Sequence, residues 1–155
     1  MKKVYLVALA LFLMSPMTSL AQASKDSLAV VKTMKELLAI CKAVDFRDPK
    51  TSSLGLFYKA APYIVYRGND EKRKWKEFCK YENAEDKKGV DETCTNINET
   101  VNRDSTYKIV RYSTKKESEG LWYILFVSYK KKNVERHAIY AFLKINGRFG
   151  LGDID

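Results

Sequence analysis

Histidine occurs once in this 155-residue sequence, proline and cysteine three times each and glycine seven times, and each scarcity narrows the chemistry on offer. Imidazole catalysis is confined to one position, His137. None of the cysteines has C-x-x-C spacing, so neither a zinc site nor a thiol redox motif is supported. The cluster Gly147, Gly150 and Gly152 has the wrong spacing for a phosphate loop, and no helix start follows it. No apolar run approaches the roughly 20 residues that span a bilayer. There is no internal repeat and no low-complexity tract.

At the N-terminus stand a basic pair, Lys2 and Lys3, an apolar run from Val4 to Met14, and the small-residue triplet Ala21-Gln22-Ala23. That order is a secretory signal peptide covering residues 1–23. No cysteine follows the cleavage point, so no lipid anchor is expected after cleavage. The remaining residues 24–155 are the length of one domain with a core of its own, expected in the periplasm or outside the cell. Removing Lys2 and Lys3 lowers the formal charge from +9 to +7. In an exported chain that balance argues against nucleic acid. It favours an anionic glycan, lipid headgroups, an acidic protein patch or plain solubility.

Cys41, Cys79 and Cys94 are an odd number for an oxidising compartment, so at least one lacks an internal partner. Cys79–Cys94 closes the shortest loop of the three pairings, worth about 3 kcal/mol. Equally, all three can pack as small buried hydrophobes.

Hydrophobic spacing predicts a helix from Ser27 to Val44 through Leu28, Val31, Met34, Leu37, Leu38, Cys41 and Val44, capped by Asp26 or Ser27 and stopped by Asp48-Pro49. A shorter helix is expected from Thr51 or Ser52 to Ala61. A short strand covers Tyr63–Arg67, and a third helix Glu71–Tyr81, with Trp75, Phe78 and Cys79 inside and Lys72, Arg73, Lys74, Lys76 and Lys80 outside. Val90, Cys94, Ile97 and Val101 recur at helical spacing in an otherwise polar stretch and predict a fourth helix. Asn98-Glu-Thr100 matches a glycosylation sequon. Four strands follow, near Thr106–Ser113, Leu121–Tyr129, Glu135–Ile145 and Arg148–Ile154, the last two joined by Asn146-Gly147, a strong hairpin signal. The Leu121 strand is apolar on both faces: Trp122, Ile124 and Phe126 on one, Tyr123, Leu125 and Val127 on the other. It therefore needs cover on both, from helices on one face and from a second subunit or a closing sheet on the other.

The order helix, helix, short strand, helix, four long strands, and the closing run Tyr140-Ala-Phe-Leu-Lys-Ile-Asn-Gly-Arg-Phe-Gly-Leu-Gly-Asp-Ile-Asp155, resemble the nuclear-transport-factor-two-like (SnoaL-like) superfamily, including exported bacterial members of unassigned function. The resemblance implies an α+β fold. In it a cone-like curved antiparallel sheet of four long strands and one short strand packs on three or four N-terminal helices, enclosing a cavity. It also implies dimers through the outer sheet face. Gly150 and Gly152 depart from the family's closing strand and point to a bulge or a close contact.

His137 shares a strand face with Glu135 and is a candidate general base; Asp153 is the second acid/base candidate. Asp153 and Asp155 are too few ligands for calcium, and no metal or cofactor is expected. Tyr63, Trp75, Tyr107, Trp122 and Tyr140 are candidates to line an apolar pocket with polar handles. The reading is an exported, non-enzymatic domain binding a small ligand or a protein partner in a cavity between the helices and the curved sheet. A small isomerase or dehydratase using His137 or Asp153 is the alternative, and an inhibitor or immunity-type protein the third.

Overall fold

The computed structural model describes residues 15–43, 56–103 and 106–155. Most of the expected leader (1–14), the expected helix stop at Asp48-Pro49 and the start of the second expected helix lie outside the described residues. Among the described residues, two helices, α1 (Ser15–Lys42) and α2 (Ala84–Glu99), and two short 3-10 turns (Leu56–Lys59, Ala61–Tyr63) precede four strands. These are β1 (Tyr107–Glu117), β2 (Gly120–Lys131), β3 (Val134–Ile145) and β4 (Arg148–Ile154). They form an open antiparallel sheet in the order β1-β2-β3-β4. No described helix is long and apolar enough to cross a membrane.

The meander follows from its turns. Asn146 and Gly147 have φ of 50° and 79°, and Lys132 and Asn133 have 53° and 64°, the left-handed pair that matches strand twist in a two-residue hairpin. Extra residues at Val110 in β1 and Gly152 in β4 shift the register and bend the strands. Gly150 and Gly152 also meet the close-contact expectation. A Cβ at 150 would lie 2.5 Å from the Phe78 ring, and one at 152 would lie 2.8 Å from the Trp122 ring.

Inside the curve, Tyr123, Leu125, Val127, Tyr140, Phe142, Phe149 and Leu151 pack against Val30, Met34, Leu37, Leu38 and Cys41 of α1 and Val90, Cys94 and Ile97 of α2. The fourth expected helix is thus α2. Its start is fixed by Asn83, whose Oδ1 accepts from the Glu85 and Asp86 amides, an N-cap followed by two acidic first-turn residues.

Four expectations need correction. First, α1 runs back to Ser15, so Asp26 is no cap. Its side chain turns under the sheet, where it receives the Tyr123 hydroxyl at 3.1 Å and Lys144 Nζ at 2.8 Å. Among the side chains described, the buried apolar stripe runs through Val30, Met34, Leu37, Leu38 and Cys41, and Leu28 faces solvent. Second, Glu71–Tyr81 is not a helix. A turn starts on Asp70, whose carboxylate accepts from the Lys72 amide, but Trp75 adopts φ 64° and the chain reverses. The Tyr66 amide donates to the Glu77 carbonyl, and the Cys79 amide donates to Ile64. A helix would have buried only a narrow stripe; the reversal buries Trp75, Phe78 and Val65 on the outer sheet face against Trp122, Leu143 and Ile145. Third, that hairpin, and not a second subunit or a closing sheet, covers the Trp122 end of β2's second face. The short strand within it is reduced to bridges: Ile64 lies parallel to Leu151, and Val65 antiparallel to Phe78.

Fourth, Cys94 bonds Cys41, with Cα atoms 5.1 Å apart, and Cys79 is the buried free thiol. Loop length favours Cys79–Cys94 in an unfolded chain, but packing α1 on α2 sets the native pairing. Asn98 Nδ2 donates to the Cys41 carbonyl at 2.7 Å and Asn102 Nδ2 to Leu38 at 2.8 Å, reinforcing the junction. The sequon nitrogen is therefore committed to the fold.

Closing a loop across a sequence separation of 53 residues is worth about 4 kcal/mol in the chain-entropy treatment. The double variant Cys41→Ala/Cys94→Ala is expected to lose about that much in urea unfolding. Non-reducing peptide mapping is expected to find only the 41–94 link; a linked peptide containing Cys79 would refute the pairing.

Candidate functional site

A cleft of about 460 Å³ opens where three elements diverge: Ile64–Gly68, the Glu85–Asn96 side of α2, and the end of β4 from Leu151 to Ile154. Its floor is apolar (Ile64, Val65, Leu151) with the Cys79 thiol, and its rim carries Glu85, Lys88, Glu92, Thr93 and Asn96. Gly89 lies in mid-helix on this wall, and a Cβ there would meet nothing within 4 Å. Burial pushes the Cys79 thiol up to about 12, with the nearby Asp86 charge adding to the effect, so it stays protonated and unreactive.

One base of the cleft is an ion-pair network. Arg73 forks onto Asp86 at 3.2 and 2.7 Å, donates Nε to Glu77 at 3.0 Å, and stacks over the Tyr66 ring at 4.0 Å. Asp86 has a fully buried side chain and also accepts the Lys80 amide at 2.7 Å. Tyr66 donates its hydroxyl to Glu85 at 2.8 Å. This network pins the Ile64–Cys79 hairpin to the first turn of α2 and so sets the width of the cleft. Three of the five basic residues expected on a third helix are spent locally: Arg73 as described, Lys74 on Glu71 and Lys80 on Glu77.

At the far rim Arg67 Nη1 reaches Asp153 Oδ1 at 2.7 Å and the Gly152 carbonyl at 2.8 Å, with its guanidinium 4.5 Å from the Trp75 ring centre. Asp153 is thus the one predicted acid/base residue at the cleft, and it is engaged by a cation. His137 lies on the outer sheet face, exposed, opposite Ser128. Its neighbour Glu135 takes the Ser128 hydroxyl at 2.6 Å, which, ahead of the charges of His137, Lys108 and Lys130, holds that carboxyl below its usual value. The two catalytic candidates do not converge.

The aromatic candidates separate likewise. Trp75 and Trp122 meet edge to face at 5.3 Å on the outer side. Tyr140 is fully buried inside the curve and Tyr107 packs beside that core; burial raises both phenols. Tyr63 sits at the edge of the core, raised by burial and by Glu36. None of the five lines the cleft. The concave interior is filled by Met34, Leu37, Tyr66, Leu125, Tyr140 and Phe142, each under 2% exposed.

Sequence reasoning missed Asp86, Arg73 and Gly89. The pattern Asn83-x-Glu85-Asp86 was a readable N-cap signal, but nothing local marks an arginine 13 residues earlier as its partner. A second polar group was missed too. Asp26, 7% exposed, meets Lys144 and Tyr123 under the sheet, next to the Tyr112 hydroxyl, which is buried without a partner. Burial, then the Asp26 bond, pushes Tyr123 up to about 12. Among the described residues no group of three or more metal-ligating side chains gathers.

Compared with known proteins, the chain matches no family model, no curated protein and no solved structure.

Burial raises the Asp86 carboxyl, but the bonds from Arg73 and the Lys80 amide outweigh it and leave the pKa below the ordinary aspartate value. A depressed folded pKa means that the stabilisation is present above the unfolded value, about 3.9, and is lost as pH falls through the folded value. Wild-type unfolding free energy is therefore expected to drop below about pH 4 more steeply than that of Asp86→Asn. Asp86→Ala, which strands Arg73, is expected to cost about 3 kcal/mol in urea unfolding; a loss under about 1 kcal/mol would mean that the network does not hold the hairpin.

Proposed function

We propose that the chain is an exported, non-enzymatic binding domain of the nuclear-transport-factor-two-like kind, which holds a small ligand or a protein partner in the cleft between α2, the Ile64–Gly68 segment and the end of β4. The observation that carries this reading is the cleft itself. Its volume of about 460 Å³ lies in the range of ligand sites, and an apolar floor with a few polar rim groups is the usual make-up of such sites. The open wall at Gly89 adds to it. The element order, with a short segment lying parallel to β4 and four antiparallel strands, supports the family resemblance. The basic pair, apolar run and Ala21-Gln22-Ala23 support export. A binding role is favoured over catalysis because the cleft's most buried titratable groups, Asp86 and Cys79, are respectively neutralised by Arg73 and held protonated, while His137 stands elsewhere.

Fragment screening by 15N chemical-shift mapping tests the proposal. Hits are expected to move the amides of Gly68, Gly89 and Thr93 together and to be lost in Gly89→Leu, which fills the cleft from an unobstructed position. Hits confined to the outer sheet face, or turnover of any fragment that His137→Ala abolishes, would sink the reading.

A further inference from the structure

The end of β4 continues its ladder with β3 and leaves backbone groups facing away from it. Ile139 and Asp155 exchange both backbone bonds, at 2.7 and 3.0 Å. In an antiparallel ladder the adjacent pair is then the non-bonded kind, so Ile154, opposite Tyr140, turns its N–H and C=O away from β3. On that far side the Leu151 carbonyl accepts from the Val65 amide at 2.8 Å. Past this bond, side chains take the place of a strand. The Gly152 carbonyl accepts from Arg67 Nη1 at 2.8 Å, and the Ile154 amide donates to Asp153 Oδ1 at 3.1 Å. The same Asp153 oxygen accepts from Arg67 Nη1 at 2.7 Å. One ion pair caps two backbone groups of an open edge.

The cap is cheap to remove. Its side chains are 46% and 43% exposed, and exposed pairs are worth about 0–1 kcal/mol. The cleft runs along this edge, and Gly89 faces it across the opening. A glycine inside a helix costs about 1 kcal/mol against alanine, yet no atom of the protein stands where its Cβ would be. Gly68 differs, since a Cβ there would strike Tyr66 and Glu85. The bare wall at Gly89 is the room an incoming backbone needs.

We propose that the edge of β4 from Gly152 to Ile154 is a strand-addition site for an extended segment of a partner protein that carries a lysine or arginine. The inference rests on the binding-domain reading and narrows it. An added strand supplies a donor to Gly152 and an acceptor to Ile154, as in other strand-addition complexes, and displaces the Arg67–Asp153 cap. The charge preference follows from the lining. Asp86 is committed to Arg73 and Glu92 pairs with Lys88 at 3.9 Å; once the cap opens, Glu85 and Asp153 face Arg67 alone, and that surplus of one carboxylate favours a basic segment over an acidic one.

The test is selection of phage-displayed random 12-residue peptides on the full-length chain, followed by titration of the selected synthetic peptides. Enrichment in lysine or arginine is expected, with shifts at the Gly68 and Ile154 amides. Gly89→Leu is expected to weaken binding at least ten-fold without lowering the melting temperature. Glu92→Lys, at a solvent-exposed rim position, should weaken it too. Arg67→Ala removes the competing cap, so binding should hold or tighten by up to about five-fold, the equivalent of the pair's worth. Loss of binding in Arg67→Ala would make that arginine a direct ligand contact and overturn strand addition, as would equal binding by Gly89→Leu or no peptide enriched. A self-associating chain blocked by Gly89→Leu would make the occupant a second copy and refute the partner. Fragments that bind the cleft when no peptide does would end this inference while leaving the binding domain standing.

Discussion

The interaction on which the rest of the structure depends is the burial of β2 on both faces. Tyr123, Leu125 and Val127 need one apolar partner layer, and Trp122 and Ile124 need another. Two helices supply the first. The second comes from an excursion of the same chain, Ile64–Cys79, which lays Val65, Trp75 and Phe78 over Trp122, Leu143 and Ile145. At about 25 cal/mol per Å² of apolar surface, covering two tryptophans and a phenylalanine outweighs the helical preference of Glu71–Tyr81. The glycines of β4 are part of the same solution, since Phe78 and Trp122 occupy the space their side chains would need. Bringing the excursion to the sheet also places its charged turn beside α2, where Arg73 and Asp86 lock it. The cleft is the space left where this second layer and the first separate.

How much of this could be read in advance depended on the range of the signal. The strands were legible because alternation and turn chemistry are local, and Asn146-Gly147 took the left-handed turn its composition called for. Helix α2 was legible from Val90, Cys94, Ile97 and Val101, all of them buried to 1% or less. Glu71–Tyr81 was misread because Trp75, Phe78 and Cys79 also fit helical spacing, and only a contact with Trp122, 47 residues away, decides otherwise. Asp26 was misread as a cap because a polar residue ahead of an apolar stripe is the ordinary sign of one; its real partners, Tyr123 and Lys144, lie about a hundred positions on.

The candidate site was the least legible part, for the same reason. Aromatic residues were expected to mark a pocket, but in this chain they fill the two layers. The cleft is marked instead by what is missing: a side chain at position 89 and a neighbouring strand beyond Leu151. Absences of that kind carry no periodicity and leave no motif.

The bond between Cys41 and Cys94 has a topological consequence. It makes a covalent ring of everything between those residues, and the whole Ile64–Cys79 excursion, with the Arg67 and Arg73 contacts that shape the cleft, lies inside that ring. A single backbone cut within it leaves the two halves joined through sulfur, and the cleft's walls remain tethered to both helices. Cys79 also belongs to the ring and is the one thiol able to reopen it from within. Buried in the core beneath the cleft and protonated, it is kept from doing so by the packing of the inner layer.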